Sequence, residues 1–340
     1  MKLLDLFAGA GGASLGAERA GYTVVAAAEW DADACATHRA AMPSVPVIEG
    51  DIRAIERAPD ADVWWASPPC QAWSHAGKRK GAQDARNGYP WLWELMERSR
   101  RPTWLVVENV VGGTRHTRKG GCGNPQLCAG CYWEQVVLVE ARKRFAHVSW
   151  RIINCADHGV PQARKRVIMV CGPEPYEWPE ATHGPGCPQP WASMGDALGL
   201  VAPQRVIGGG GNPHGKGRAH ERNFRDLTDE PSVTVTAAQV GNRGPWVVDG
   251  MRNTPANPRQ ERVRGVEEPA PTLGGKGNMI LRHVPTGDRR RLTVEESGVL
   301  QDFPRSYPWQ GRTKRSRFQQ VGNAVPPRLA EVILGALGGS

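Results

Sequence analysis

Residues 1–30 read MKLLDLFAGAGGASLGAERAGYTVVAAAEW. The apolar run at 3–7 is broken only by Asp5 and leads into Phe7-Ala8-Gly9-Ala10-Gly11-Gly12. Residues 13–20 then have helical character, with Gly21 as their stop. A second apolar run at 23–28 ends at Glu29. Strand, glycine turn, helix, strand is the grammar of a nucleotide-binding α/β unit. Glycines let backbone approach a ligand at the carboxyl end of the first strand. Glu29, 20 residues after Gly9, is placed to hydrogen-bond ribose hydroxyls. A nicotinamide fingerprint wants a third glycine where Ser14 stands, which argues against a dehydrogenase. Asp51, just after a third apolar run at 45–49, is placed to take an adenine amino group.

The same alternation continues outward. Further strands are expected at 62–66, 104–108, 148–154 and 167–171, with helices at 31–41, 91–100 and 134–144. This predicts an α/β fold with a doubly wound, largely parallel, Rossmann-like sheet. After about Pro173 the grammar changes. Residues 173–190 are rich in proline and glycine, and the stretch to about 285 offers short strands (232–237, 246–249) and no convincing helix. It carries a weak internal echo, DEPSVT at 229–234 and EEPAPT at 267–272. Helical pattern returns from Thr293 and closes at 327–337. The expected organisation is one α/β domain from 1–172 and 289–340, with a smaller, mostly β unit at 173–288 inserted into it.

The chain has 340 residues, 40% of them apolar, enough for a substantial core. No run approaches the roughly 18 apolar residues a membrane helix needs, so no membrane association is expected. Eight cysteines in this length make no disulfide framework and read as reduced thiols in a cytoplasmic setting. Lys+Arg outnumber Asp+Glu by 43 to 34, and 34 of the 43 are arginine. Guanidinium forks suit phosphates and guanine edges. A GC-rich genome inflates Arg, Gly, Ala and Pro together, so charge alone decides little.

Chemistry concentrates after the fourth strand. Ser67-Pro68-Pro69-Cys70-Gln71 stiffens the backbone before a cysteine at the ligand-binding edge of the sheet. A polar stretch follows, with Gly77, Lys78, Arg79, Lys80 and Gly81, the composition of a basic lid over a phosphate-bearing substrate. Glu108, at the carboxyl end of the fifth strand, faces the same cleft. Most single cysteines are core filler, and most glutamates are surface carboxylates; the shared cleft is what singles these two out.

Taken in order, DLFAGAGG (5–12), PPCQAWS (68–74), ENV (108–110), GVPQARKR (159–166), RRLTVEESGVLQDFP (290–304) and QVGNAVPP (320–327) resemble the motif series of the cytosine-C5 DNA methyltransferases. The resemblance covers about 1–172 and 289–337, and implies an S-adenosylmethionine-dependent α/β domain with the unmatched block as target recognition domain. It implies Cys70 as the nucleophile that adds to C6 of a flipped cytosine, Glu108 as the carboxyl at N3 and the exocyclic amine, Arg164 as the arginine on the base oxygen, and Arg166 as its companion. For the cofactor it implies Phe7, Gly9 and Gly11 around the methionine part and Glu29 with Trp30 at ribose and adenine. Asp51 and Ile52 match the adenine edge, Pro68 lies over the cofactor, and Asn323, Ala324 and Val325 complete the pocket. Trp73, where phenylalanine is common, and the pair Ala66-Ser67 depart from the pattern without touching the chemistry.

Four features lie outside this series. Cys122, Cys128 and Cys131 have C-x5-C-x2-C spacing in the irregular stretch 112–133; the usual C-x2-C…C-x2-C form is absent, so they read as free thiols in a loop, with a zinc site completed by His116 as the alternative. Cysteines 35, 155, 171 and 187 read as core or loop thiols. Basic clusters at 142–144, 289–291 and 312–317 are expected phosphate contacts. Gln239, Asn242, Arg243, Lys276 and Asn278 are candidate base readers in the inserted block. The expected substrate is duplex DNA, the chain acts as a monomer, and a cognate restriction endonuclease is one expected partner; a solitary enzyme or phage self-protection fits the sequence equally. An RNA (tRNA) cytosine-C5 methyltransferase on the same domain, and a non-catalytic DNA-binding relative, are the competing readings. The second should lack the thiol, the glutamate or the glycines, and all are present.

Overall fold

Apolar runs bounded by glycine, proline and acidic residues become the strands of one sheet. The computed structural model describes residues 1–69, 87–116, 123–200, 205–207, 224–226, 246–250, 262–265, 268–271, 279–283 and 289–337. The strands of the first half are β1 (Lys2–Leu6), β2 (Thr23–Glu29), β3 (Val47–Glu49), β4 (Val63–Ala66), β5 (Trp104–Val110), β6 (His147–Asn154), the two-residue β7 (Gln162–Ala163) and β8 (Lys165–Gly172). Seven of them form a sheet in the order β3-β2-β1-β4-β5-β8-β6. The first five run parallel, and β8 lies antiparallel between β5 and β6. Strand order reverses between β1 and β4, which opens a crevice at their carboxyl ends. No described helix is long and apolar enough to cross a membrane.

Period-two alternation sorts the side chains into two core layers. Leu3, Val63, Val106 and Ile168 face one side, where α1 (Gly12–Arg19) and the closing helix supply Ala13, Ala17, Leu329 and Ile333. Leu4, Trp64, Leu105 and Met169 face the other, against Leu92 and Leu95 of a helix at Gly88–Glu97 and against Val137. The remaining helices, in chain order after α1, are α2 (Ala32–Ala41), α3 (Gly88–Glu97), α4 (Ala129–Tyr132), α5 (Leu138–Arg142), α6 (Met194–Leu198), α7 (Val294–Val299), α8 (Lys314–Asn323) and α9 (Pro327–Gly335). A π turn at Trp133–Val137 joins α4 to α5.

Two helices depart from expectation. The helix expected at 134–144 starts five residues earlier, at Ala129, because buried Cys128 and Cys131 pin its first turn. In the inserted block, α6 appears where no helix was expected. Five residues are too few for periodicity to register. Ser193 caps it on the Asp196 N–H, Gly199 ends it with φ 69, and Met194 and Leu198 pack with Leu292, Val294 and Leu300.

The rest of the described inserted block is short β structure, as composition predicts. β9 (Arg205–Ile207) pairs with β10 (Phe224–Asp226), and β11 (Trp246–Gly250), β12 (Arg262–Gly265), β14 (Met279–His283) and β15 (Arg289–Arg291) form a sheet in the order β12-β11-β14-β15. β13 (Ala270–Pro271) pairs with β7. The strand expected at 232–237 lies outside the described residues. Early in the block, Tyr176 donates to the Ile333 carbonyl and Trp178 to Ser149 Oγ, so these residues lean on the α/β body.

Candidate active site

Phe7 leaves β1 with φ 59, a left-handed conformation rare for a bulky residue, and so turns the chain sharply at the sheet edge. The turn is tied to β2 by Glu29. Its Oε2 accepts from the Gly9 N–H at 2.8 Å, and its Oε1 accepts from the Trp30 and Asp31 N–H groups at 2.9 Å each. Burial pushes the Glu29 carboxyl up from its ordinary value despite those bonds. Oε1 is filled by its two donors, while Oε2 keeps one lone pair for a hydroxyl donor. Gly9 has φ +55, and nothing lies within 4 Å of where its Cβ would be, so the turn faces open space. Trp30 beside it is 59% exposed, a free aromatic face. At the end of β3, Asp51 is held by the Arg53 side chain, which keeps its carboxyl below the usual range, and Ile52 is buried.

The C-terminal motif packs directly against this turn. A Cβ on Gly12 would meet the Val325 carbonyl oxygen at 2.0 Å, so no larger residue fits there. Tyr307 donates to the Ala10 carbonyl. Of the expected pocket residues, Ala324 and Val325 are buried while Asn323 is exposed. Beneath the turn, three side chains with no exposure form a chain that the sequence did not single out. Ser14 donates to Asp5 at 2.6 Å, and His38 Nε2 lies 3.0 Å from Ser14 Oγ.

At the neighbouring strand ends, β5 and β8 set a second group. Antiparallel register puts Glu108 opposite Ile168, so Arg166, two residues before Ile168, shares its face. Arg166 Nε lies 2.8 Å from Glu108 Oε1, and both side chains are 9% exposed. Asn109 donates to the Pro68 carbonyl at 3.1 Å and to the Tyr89 hydroxyl at 3.2 Å, fastening the Pro-Pro segment to β5. Asn109 was visible in sequence only as a member of the ENV string, and Tyr89 gave no signal.

Arg164 corrects one expectation. It falls between β7 and β8, where strand alternation breaks, and its Nη2 donates to the carbonyls of Gly322 at 3.0 Å and Ala324 at 2.8 Å. It braces the C-terminal motif, and the guanidinium beside Glu108 belongs to Arg166. Cys70, the residue after Pro69, lies outside the described residues, as do 71–86, Cys122 and the candidate readers Gln239, Asn242, Arg243, Lys276 and Asn278. Burial pushes the thiols of Cys35 to about 12 and Cys155 to about 11, and raises Cys171, so these three are held as neutral thiols. In the cysteine-rich stretch, His116, Cys128 and Cys131 come together, their ligand atoms all within 4.8 Å of one another.

The model of the C-5 cytosine-specific DNA methylases matches residues 1–339. The chain belongs to this family. As a family member it is an enzyme that transfers a methyl group from S-adenosylmethionine to C5 of cytosine in DNA. The type II methyltransferase M.AplI of Arthrospira platensis is 30% identical to this methylase over 339 residues, 97% of this chain and 84% of the relative. M.NgoPII of Neisseria gonorrhoeae is 27% identical over 364 residues, covering 99% and 95%. Among solved structures, an E. coli prophage-encoded chain described as a DNA modification methyltransferase superposes with TM-score 0.62 at 20% identity, covering 99% of this methylase and 98% of that chain. The S. pombe Dnmt2 methyltransferase superposes with TM-score 0.59 at 14% identity, covering 99% and 97%. These likenesses show the fold: a Rossmann-like methyltransferase core with a smaller inserted unit.

Proposed function

We propose that this methylase acts on duplex DNA through a transient bond between Cys70 and C6 of a cytosine turned out of the helix. The observation that carries the reading is the buried Glu108–Arg166 pair, one strand away from the Pro68–Pro69 segment that leads into Cys70. Aromatic C5 is a poor nucleophile. Addition of the Cys70 thiolate to C6 moves the C5–C6 π electrons onto C5. Glu108, sharing a proton at N3, offsets the charge that builds on the ring, and the Arg166 guanidinium keeps that carboxyl oriented and meets the base oxygen. After methyl transfer, loss of the C5 proton to water returns electrons to the ring, the C6–S bond breaks, and the thiolate is regenerated. A stacked base cannot reach a side chain in this way, and turning it out costs a few kcal/mol.

The residues at the β1–β2 edge suit the cofactor. An open space over Gly9, a carboxyl with one spare lone pair at Glu29 and the bare face of Trp30 match an aliphatic chain, a ribose and an adenine. Phe7, Gly11, Asp51, Ile52, Pro68 and the 323–325 segment would border the same group. When bound, S-adenosylmethionine supplies a methyl made electrophilic by its sulfonium sulfur. Residues 173–288 are proposed as the unit that reads sequence, with the leaning contacts of Tyr176 and Trp178 as its anchor. A restriction endonuclease is proposed as cognate partner. Cys70→Ala is the direct test: methyl incorporation into DNA should vanish while calorimetric cofactor affinity is kept. Undiminished incorporation would refute the assigned nucleophile.

A further inference from the structure

We propose that this methylase carries a zinc ion held by His116, Cys128 and Cys131, and that the ion fastens the stretch between β5 and α4. The chain there, GGTRHTRKGG and CGNPQLCAG, has almost no apolar residues with which to build a core of its own. A metal supplies the missing cross-link. Cys128 precedes α4 and Cys131 lies within its only turn, so i,i+3 spacing brings both thiols to one side. They are 0% and 2% exposed.

His116 arrives from the opposite side. Its Nδ1 lies 3.6 Å from Cys128 Sγ and 3.6 Å from Cys131 Sγ. A neutral Nδ1 has one lone pair and accepts one good hydrogen bond, so two equal sulfur neighbours need another reason. Zn–N of about 2.0 Å and Zn–S of about 2.3 Å at the tetrahedral angle separate ligand nitrogen and sulfur by about 3.5 Å. The observed spacing matches that of two such ligands on one ion.

Two further observations are independent of those distances. His116 Nε2 lies 3.1 Å from Glu134 Oε1, a contact that favours the proton on Nε2 and leaves the Nδ1 lone pair toward the sulfurs. A carboxylate behind a ligating histidine is the usual support of a zinc site. Between the cysteines, Gly130 donates its N–H to the Arg115 carbonyl at 3.0 Å, and a Cβ there would meet the His116 ring at 2.7 Å. Only glycine lets that ring approach. Cys122, expected as a fourth ligand, lies outside the described residues.

The site has a mechanical consequence. Tyr132, next to Cys131, accepts from Asn87 Nδ2 at 2.8 Å, and Asn87 stands at the N-cap position of α3. A zinc clip on α4 therefore also steadies the start of α3.

The test is metal content of the full chain purified without chelator, read by mass spectrometry. Wild type should hold about one zinc per chain, Cys128→Ser and Cys131→Ser well under half of that, and Cys187→Ser the wild-type amount. Wild type with almost no zinc, or all three variants at full zinc, would overturn the site. Because a variant that misfolds would also lose metal, cobalt is added to chelator-treated wild type. Intense visible bands with thiolate charge transfer are expected, and the weak spectrum of a six-coordinate oxygen-ligated ion would overturn the site. Neither readout needs turnover, so an inactive enzyme holding one zinc would count against Cys70 and not against this site.

Discussion

Glu108 and Arg166 are both nearly excluded from water, and a buried ion pair is sensitive to the loss of one partner. Arg166→Ala leaves a buried carboxylate without its guanidinium, a change that typically costs about 3–5 kcal/mol. The same variant should lower kcat by about 10²-fold or more, the scale of losing one oriented proton-sharing group. Arg166→Lys should not restore it, because a point charge cannot hold a carboxylate in a fork. Arg164→Ala should act differently: it frees the Gly322 and Ala324 carbonyls, raising KM for the cofactor more than it lowers kcat. Steady-state kinetics on the variants separate the two, and identical profiles would contradict the division of roles. The sequence could not make that division. Two arginines one residue apart look equivalent in QARKR; what distinguishes them is the break between β7 and β8 and the register against β5, both set by distant chain.

At the scale of the element, the glycine turn was fully legible, since only that residue type tolerates its backbone. Its supports were not. Gly11 has φ +88, and a Cβ there would meet His38 Cδ2 at 2.5 Å; Gly9 has φ +55 and open space. Gly11→Ala should therefore destabilise the fold by more than about 2 kcal/mol, while Gly9→Ala costs about 1 kcal/mol of stability and chiefly weakens cofactor binding. Denaturant titration and calorimetry read these separately, and equal effects on both would contradict the assigned faces. Under the turn, burial raises Asp5 from 3.8 to about 7 and lowers His38 from 6.5 to about 4. Folding thus favours protonated Asp5 and neutral His38. The Asp5 contribution is complete below its unfolded value and is lost as pH rises through about 7; the His38 contribution is complete above 6.5 and is lost as pH falls through about 4. Between those limits they oppose each other. From about pH 6.5 to 8 Asp5 acts alone, so the melting temperature should fall, and Asp5→Asn should flatten that fall. An equal slope in the variant would show that Asp5 is not the group responsible. Short elements were the least legible: α6 has a cap at each end and only five residues, and packing on the 292–300 segment decides it.

Across the whole molecule, strand–helix alternation was enough to foresee the sheet, because the central runs, those of β1, β4, β5 and β8, are buried on both faces and read as continuous apolar sequence. The antiparallel insertion of β8 between β5 and β6 was not foreseeable, since it depends on pairing partners. A formal net charge of +9 suits a polyanion substrate without choosing among sequences. The proposal places sequence choice in 173–288. Exchanging that block with the corresponding block of a type II relative should move the methylated site to the relative's, as read by bisulfite sequencing in a methylation-free host. An unchanged site would place recognition in the α/β domain instead.

The bond between Cys70 and C6 can be caught directly. A duplex with 5-fluorocytosine at the target position replaces the departing proton with fluorine, so the sulfur cannot be expelled after methyl transfer. Incubation with S-adenosylmethionine should give a denaturation-resistant protein–DNA band whose tryptic peptide carries the modified base on Cys70. A methylated duplex with no such band, or a band mapped to another residue, would contradict the mechanism.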